Sequence, residues 1–378
     1  MRLAAILIIS AMPVTAAPPL HREGPFWVQT TDASENLPAL TPLLIRGNGS
    51  VTVHGGVGRR LHYHLVQRVR ARSEAAARAR LDAFEISLVR RNRAMELDLE
   101  GEPETELQVT VPRQLPSLAL STRMGNIEVA DLDGSVQAGT GAGKVTVHRV
   151  KGGVVVDTQG GATSLGEIGG MVRIDSAGGA ILADMLRGDA VLETGGGDIV
   201  VQRVNGTIRA FTAGGGIHIQ EAGGLVTATT AGGPIQIVSA RGKVTARNSG
   251  GPIQVGAAPG VHCESASGAI RLNDVSGAVH VETATGSIVA RLLPGNGLRD
   301  SFLSTMAGDI TVFIPANVRV MLRAENEGST DTRSISSDFP DVNIRSDGGS
   351  VRADGAINGS GGPVLRLAGN GRIYIKKR

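Results

Sequence analysis

The sequence predicts an all-β fold: a parallel β-solenoid wound in 18-residue coils, each built from two nine-residue strand–turn units, behind a small α+β cap. Three observations predict it. Glycine recurs every nine residues from Gly125 to Gly260 without a miss, and resumes at 268, 277, 286 and 295 after one residue is dropped. Between those glycines, apolar residues stand two apart, which is the period of a strand. The nine-residue halves also alternate in bulk, so the full repeat is 18: "TTAGGPIQI" at Thr229 returns as "RNSGGPIQV" at Arg247.

Stacking explains the columns. In a solenoid, residues one coil apart lie about 4.8 Å above one another, so equivalent positions favour equivalent residues. Ile127, Val145, Ile181, Ile199, Ile217, Ile235, Ile253, Ile270, Ile288 and Ile310 form one bulky column. Ala138, Val156, Ile174, Leu192, Ala210, Ala228, Ala246 and Cys263 form a slimmer one in the other half-repeat. A hairpin meander would pair unlike positions and gives no reason for such columns. Two sheets should therefore face each other across a thin aliphatic core, which suits a chain with 53 glycines and 2% aromatic residues. A polar column, Thr140, Thr158, Ser176, Thr194, Thr212, Thr230, Asn248, Ser265 and Thr283, falls at one turn and should hydrogen-bond turn backbone as a ladder. Eleven repeats imply about eleven coils and a rod of about 50 Å. Parallel crossovers are normally right-handed, so a right-handed coil is expected.

The flanks read differently. "MRLAAILIISAMPVTA" has a basic start, a short apolar run and small residues at Val14 and Ala16, so residues 1–16 are expected to be a signal peptide. Residues 17–112 read as an α+β capping region, with "SEAAARARLDAF" as its helix: Ser73 caps it, and Glu74 and Arg78 form an i,i+4 pair. Residues 113–315 carry the regular solenoid, and 316–378 an irregular C-terminal set of coils and a cap. Within the latter, "ENEGSTDTRSISSDFPD" reads as a mobile polar loop, and "GGPVLRLAGNGRIYIKKR" as two closing strands.

Composition bounds the function. One cysteine, Cys263, excludes an internal disulfide, and a net charge of +3 gives no case for a nucleic-acid partner. No later segment is apolar for long enough to span a bilayer, so a soluble, exported protein is expected, in the periplasm or at the cell surface. The nine-residue period also occurs in calcium β-rolls, but those need an aspartate in every repeat. The residue after the glycine here is Asn126, Lys144, Ala162, Ala180, Asp198, Gly216 and Pro234. "GTGAGKVTV" from Gly139 imitates a phosphate loop, yet lacks its first glycine and its final Ser or Thr; the solenoid repeat accounts for its glycines. No cofactor is expected.

Three constellations remain as sites. Asp157, Asp175 and Glu193 share an outward column, where stacked carboxylates repel unless solvated or bridged by a cation. His262 and His280 stand one coil apart with outward parity, and His62 and His64 share a strand face; two ligands without a third make a poor metal site. Arg68, Arg70 and Arg72 belong to an arginine-rich stretch, from Arg59 to Arg93, that suits an anionic envelope polymer or lipid headgroup.

Several segments carry a resemblance: "LQVTVPRQLPSLALSTRMGNIEVADLDGSVQAGTGAGKVTV", "GDITVFIPANVRVMLRA" and "INGSGGPVLRLAGNGRIYIKK". Together with the expected signal peptide and strand–helix start, they resemble the bacterial putative-adhesin family of exported β-solenoid proteins over nearly the whole mature chain. The resemblance implies a repeat fold at the cell envelope and brings no catalytic residue with it; the long regular run of coils is this chain's departure. The expected function is a non-catalytic structural or adhesin-like role at the envelope, with a surface polysaccharide or another envelope protein as partner. The alternative is a polysaccharide-binding or polysaccharide-active β-helix that uses the acidic column.

Overall fold

A computed structural model describes residues 19–101, 104–295 and 297–378; the expected signal peptide lies outside them. The described chain is nearly all strand, with one short α-helix, Glu74–Asp82, and it divides into two units, residues 1–188 and 189–378.

In the first unit, two sheets grow by parallel addition. Ile127–Leu132, Val145–Val150, Thr163–Ile168 and Ile181–Leu186 pair in sequence on one sheet. Ser117–Thr122, Ser135–Thr140, Val154–Thr158 and Val172–Ser176 pair on the other. Every register step is 18 residues, so Ile127 lies beside Val145 and Val136 beside Val154. Inward positions are all but inaccessible, as the alternation of a half-buried strand requires.

The start of this unit stacks out of chain order. Leu43–Gly47 lies between Ala94–Glu100 and Ser117–Thr122, parallel to both. Gly49–Gly56 lies between Glu104–Pro112 and Ile127–Leu132, again parallel to both. Antiparallel strands then finish both sheets. Arg60–Arg70 pairs with Glu104–Pro112 and with Phe26–Asn36, while Glu85–Arg91 pairs with Ala94–Glu100. The helix is capped by Ser73, whose Oγ accepts from the Ala76 N–H, and buries Ala77 and Leu81 against Val69.

The second unit repeats the scheme from Ala190 to Ile314, but not in constant steps: Val244 lies beside Val261 and His280 beside Phe302, and the register shifts between Leu272 and Val275. Its end mirrors the start of the first unit. Val364–Gly369 lies between Ser301–Thr305 and Val320–Asn326, and Ile373–Lys377 between Ile310–Ile314 and Ile335–Ser337, all parallel. Val351–Ile357 and Val342–Ser346 then close one sheet antiparallel. The segment expected as a mobile loop is ordered in part. Ile335 and Phe339 bury their side chains, and Ile335–Ser337 adds to the sheet, so two apolar residues anchor a run that reads as polar.

The polar ladder at the turn is buried. Thr212 Oγ1 donates to the Gly197 carbonyl at 2.9 Å and accepts from the Gly215 N–H at 3.1 Å. Thr230, Asn248 and Thr283 likewise donate to the carbonyls of Gly215, Gly233 and Gly268. Each such residue thus clips its own turn to the preceding coil. The glycine period has a different origin from the turn conformation alone: a Cβ on Gly233 would lie 2.3 Å from the carbonyl of Gly215. Backbones of adjacent coils meet at that corner, and only hydrogen fits between them.

Candidate binding face

The outward face of the second unit's slim-column sheet carries the densest chemistry. Parallel register sets Thr229, Arg247, Glu264, Glu282 and Ser304 in one column. It sets Thr245, His262, His280 and Phe302 in the column beside it. Successive residues of a column are about 4.8 Å apart, as neighbouring strands must be.

The two columns interact. Arg247 Nε donates to Glu264 Oε2 at 2.9 Å, and the Nε2 of His262 lies 2.6 Å from Glu264 Oε1. One coil on, the Nε2 of His280 lies 3.0 Å from Glu282 Oε1. The two imidazoles stack with centroids 4.9 Å apart and planes 14° apart, as the sequence register predicts. Phe302 continues the row at 5.5 Å from His280. The Arg247 guanidinium first, then His262, holds the Glu264 carboxyl below the usual carboxylate range. An open groove of about 750 Å³ runs over this column, with Phe302 and the exposed Met306 adding apolar surface beside the charges.

The other candidates fall elsewhere. Asp157 and Asp175 are register partners in the first unit, whereas Glu193 belongs to the second, where it pairs with Phe211. Among the described residues no three His, Cys, Asp or Glu side chains converge as metal ligands. Arg68 and Arg70 line a cavity of about 480 Å³ with Arg80 and Arg123, and Arg72 lies outside that lining. Arg68 is engaged with Glu106 at 3.1 Å, and Arg70 lies over the Phe26 ring at 4.9 Å. His64 meets Asp32 at 2.7 Å across two antiparallel strands.

Several other outward charges are used between coils. Arg149 grips both oxygens of Asp131, Lys151 meets Asp133, and Arg203 meets Glu221, each pair 18 residues apart. The Arg149 hydrogen bond holds Asp131 below the usual range, and the Lys151 hydrogen bond does the same for Asp133. The Arg247–Glu264–Glu282 column escaped the sequence reading because no one of its residues is unusual. The signal available was the 17- or 18-residue recurrence of charge at one outward parity.

No family model matches the chain, and no curated protein does. Among solved structures, the chain is similar to a "putative cell adhesion protein" from Clostridium sporogenes, at 10% identity and a TM-score of 0.25, over 93% of this chain and 100% of that one. It is also similar to a "putative lipid binding protein" from Parabacteroides distasonis, at 10% identity and a TM-score of 0.29, over 75% and 96%. A third is a "putative adhesin" from Parabacteroides merdae, at 10% identity and a TM-score of 0.23, over 75% and 92%. No helix among the described residues is long and apolar enough to cross a membrane.

Proposed function

We propose that this chain is an exported, non-catalytic β-solenoid that binds a linear polysaccharide of the bacterial envelope along its outward face, in an adhesin-like role. One observation carries the reading: hydroxyl, guanidinium and carboxylate groups recur at one-coil intervals along the groove from Thr229 to Ser304. A polymer that repeats its hydroxyls along one axis can bond such a column at several coils at once, so weak contacts add as linked sites do. The segment at residues 1–16 supports export.

The test is co-sedimentation of the mature chain with purified envelope polysaccharide. Arg247→Ala and Glu282→Gln should each weaken retention. Retention unchanged in the double variant would overturn the assignment of the groove. A second reading rests on the register pairing of Asp157 with Asp175, whose carboxylates would attract a cation. Calcium should raise the melting temperature of the wild type and leave Asp175→Asn unmoved if that reading holds. Equal melting with and without calcium would remove it.

A further inference from the structure

We propose a second ligand site in the second unit: an oxyanion pocket formed by Arg319 and the glycine-rich turn Asn358–Gly362. It goes beyond the polysaccharide groove and rests on different residues. A cavity of about 610 Å³ opens between the loop that follows Ile314 and this turn, within the size range of small-molecule sites. Its described lining holds one charged side chain, Arg319, and no carboxylate. Arg319 is exposed, and it has no ion-pair partner among the described residues.

The turn supplies the rest. Gly359 and Gly361 have φ of 109° and 85° on either side of Ser360, which is outside the positive-φ region, and an alternation of this kind turns successive N–H groups toward one concave side. No described acceptor takes the N–H groups of Gly359, Ser360, Gly361 or Gly362. The Arg319 side chain runs beside this turn, its Nε 3.7 Å from where a Cβ on Gly359 would stand. The turn is held in place beforehand. Asn358 Nδ2 donates to the carbonyls of Pro315 at 3.1 Å and Val318 at 2.7 Å, which ties the two loops together. Leu298 and Pro363, both half-buried, give the cavity an apolar wall.

The ligand is therefore a small molecule that carries one carboxylate or phosphate, with a body that packs on Leu298 and Pro363. Charge-assisted bonds from a guanidinium and from free backbone N–H groups are the strong class of oxyanion contact.

Calorimetric titration of the mature chain with glucuronate, glucose 6-phosphate and glucose tests the site and separates its two sources. Saturable binding of either acid, or of both, with no glucose binding, is the expected result. It also identifies carboxylate or phosphate as the group taken. Arg319→Ala should weaken that binding at least about tenfold, and Arg319→Lys less, since lysine keeps the charge but not the fork. Arg247→Ala in the groove should leave it unchanged. Failure of both acids to saturate, equal affinity in Arg319→Ala, or a parallel loss in Arg247→Ala would overturn the proposal.

Discussion

Two buried threonines should respond in opposite directions to the same substitution. Thr163 stands in the bulky apolar column between Val145 and Ile181, fully buried, and its Oγ1 has no hydrogen-bond partner. Thr212 is equally buried, but its hydroxyl donates to Gly197 and accepts from Gly215. Valine has nearly the shape of threonine, so neither replacement changes packing much. Thr163→Val removes an unsatisfied hydroxyl, a burden of about 1–3 kcal/mol, and should stabilise by about 1–2 kcal/mol after small losses of fit. Thr212→Val strands a carbonyl and an N–H at a coil corner and should destabilise by about 1–3 kcal/mol. Urea unfolding followed by circular dichroism reads both, with midpoints compared at constant slope because repeat arrays can depart from two-state behaviour. A neutral or destabilising Thr163→Val would refute the premise that this hydroxyl is unpaired. The same sign at both positions would refute the ladder argument as a whole.

Other predictions follow from the same contacts. Gly233→Ala should destabilise by more than the roughly 1–3 kcal/mol of ordinary overpacking, because its Cβ would meet backbone that cannot move aside. Gly178→Ala, with open space around the new methyl, should be near neutral in the same thermal melts. The Glu264 carboxyl is held low in the folded state, so its contribution is present above the unfolded value of about 4.3 and is lost as pH falls through the lower folded one. Arg247→Ala should accordingly lower the urea midpoint at neutral pH, and the gap should close in strong acid; a constant gap across pH would contradict the pairing. Burial pushes the Cys263 thiol up, so a thiol reagent should label the chain only at its unfolding rate, and rapid labelling of folded protein would be incompatible with that burial.

The columns were legible in the sequence because the regular coils share one register. As far as Asn248 a residue's parallel neighbour is the residue 18 positions away, so identity of side chains reports adjacency in space. His262 over His280, and Ile235 beside Ile253, could be placed on that ground alone. The groove was harder to see, since outward positions tolerate any polar residue and only their joint recurrence marks them. Thr163 was invisible for a related reason. A single threonine in a strand-forming column breaks no pattern, and its missing hydrogen bond is a property of the packed coil.

The chain ends escaped for a topological reason. Pattern reading assumes that coils stack in chain order, and at the start of the first unit and the end of the second they do not. Leu43–Gly56 enters between strands that are made later, and Val364–Lys377 enters between strands that are made earlier. The 18-residue period cannot report such an insertion, because Ile335 pairs with Ile373 and Val51 with Ile127, each far from the residue 18 positions away. The arrangement has a physical rationale. A terminal strand laid on the outside of a stack would leave a bare, frayable edge, the kind that recruits other chains. Inserting Val364–Gly369 and Ile373–Lys377 one layer in gives them partners on both sides, and internal segments take the outermost places. At the start of the first unit only Leu43–Gly47 and Gly49–Gly56 are sheltered in this way, while Leu20–Glu23 stays outermost, paired among the described residues with Phe26–Asn36 alone. The antiparallel strands Glu85–Arg91 and Val342–Ser346 can then close their sheets with short, charged edges. Termination is thus written in the order of stacking, and it demands no distinctive residue that a sequence could display.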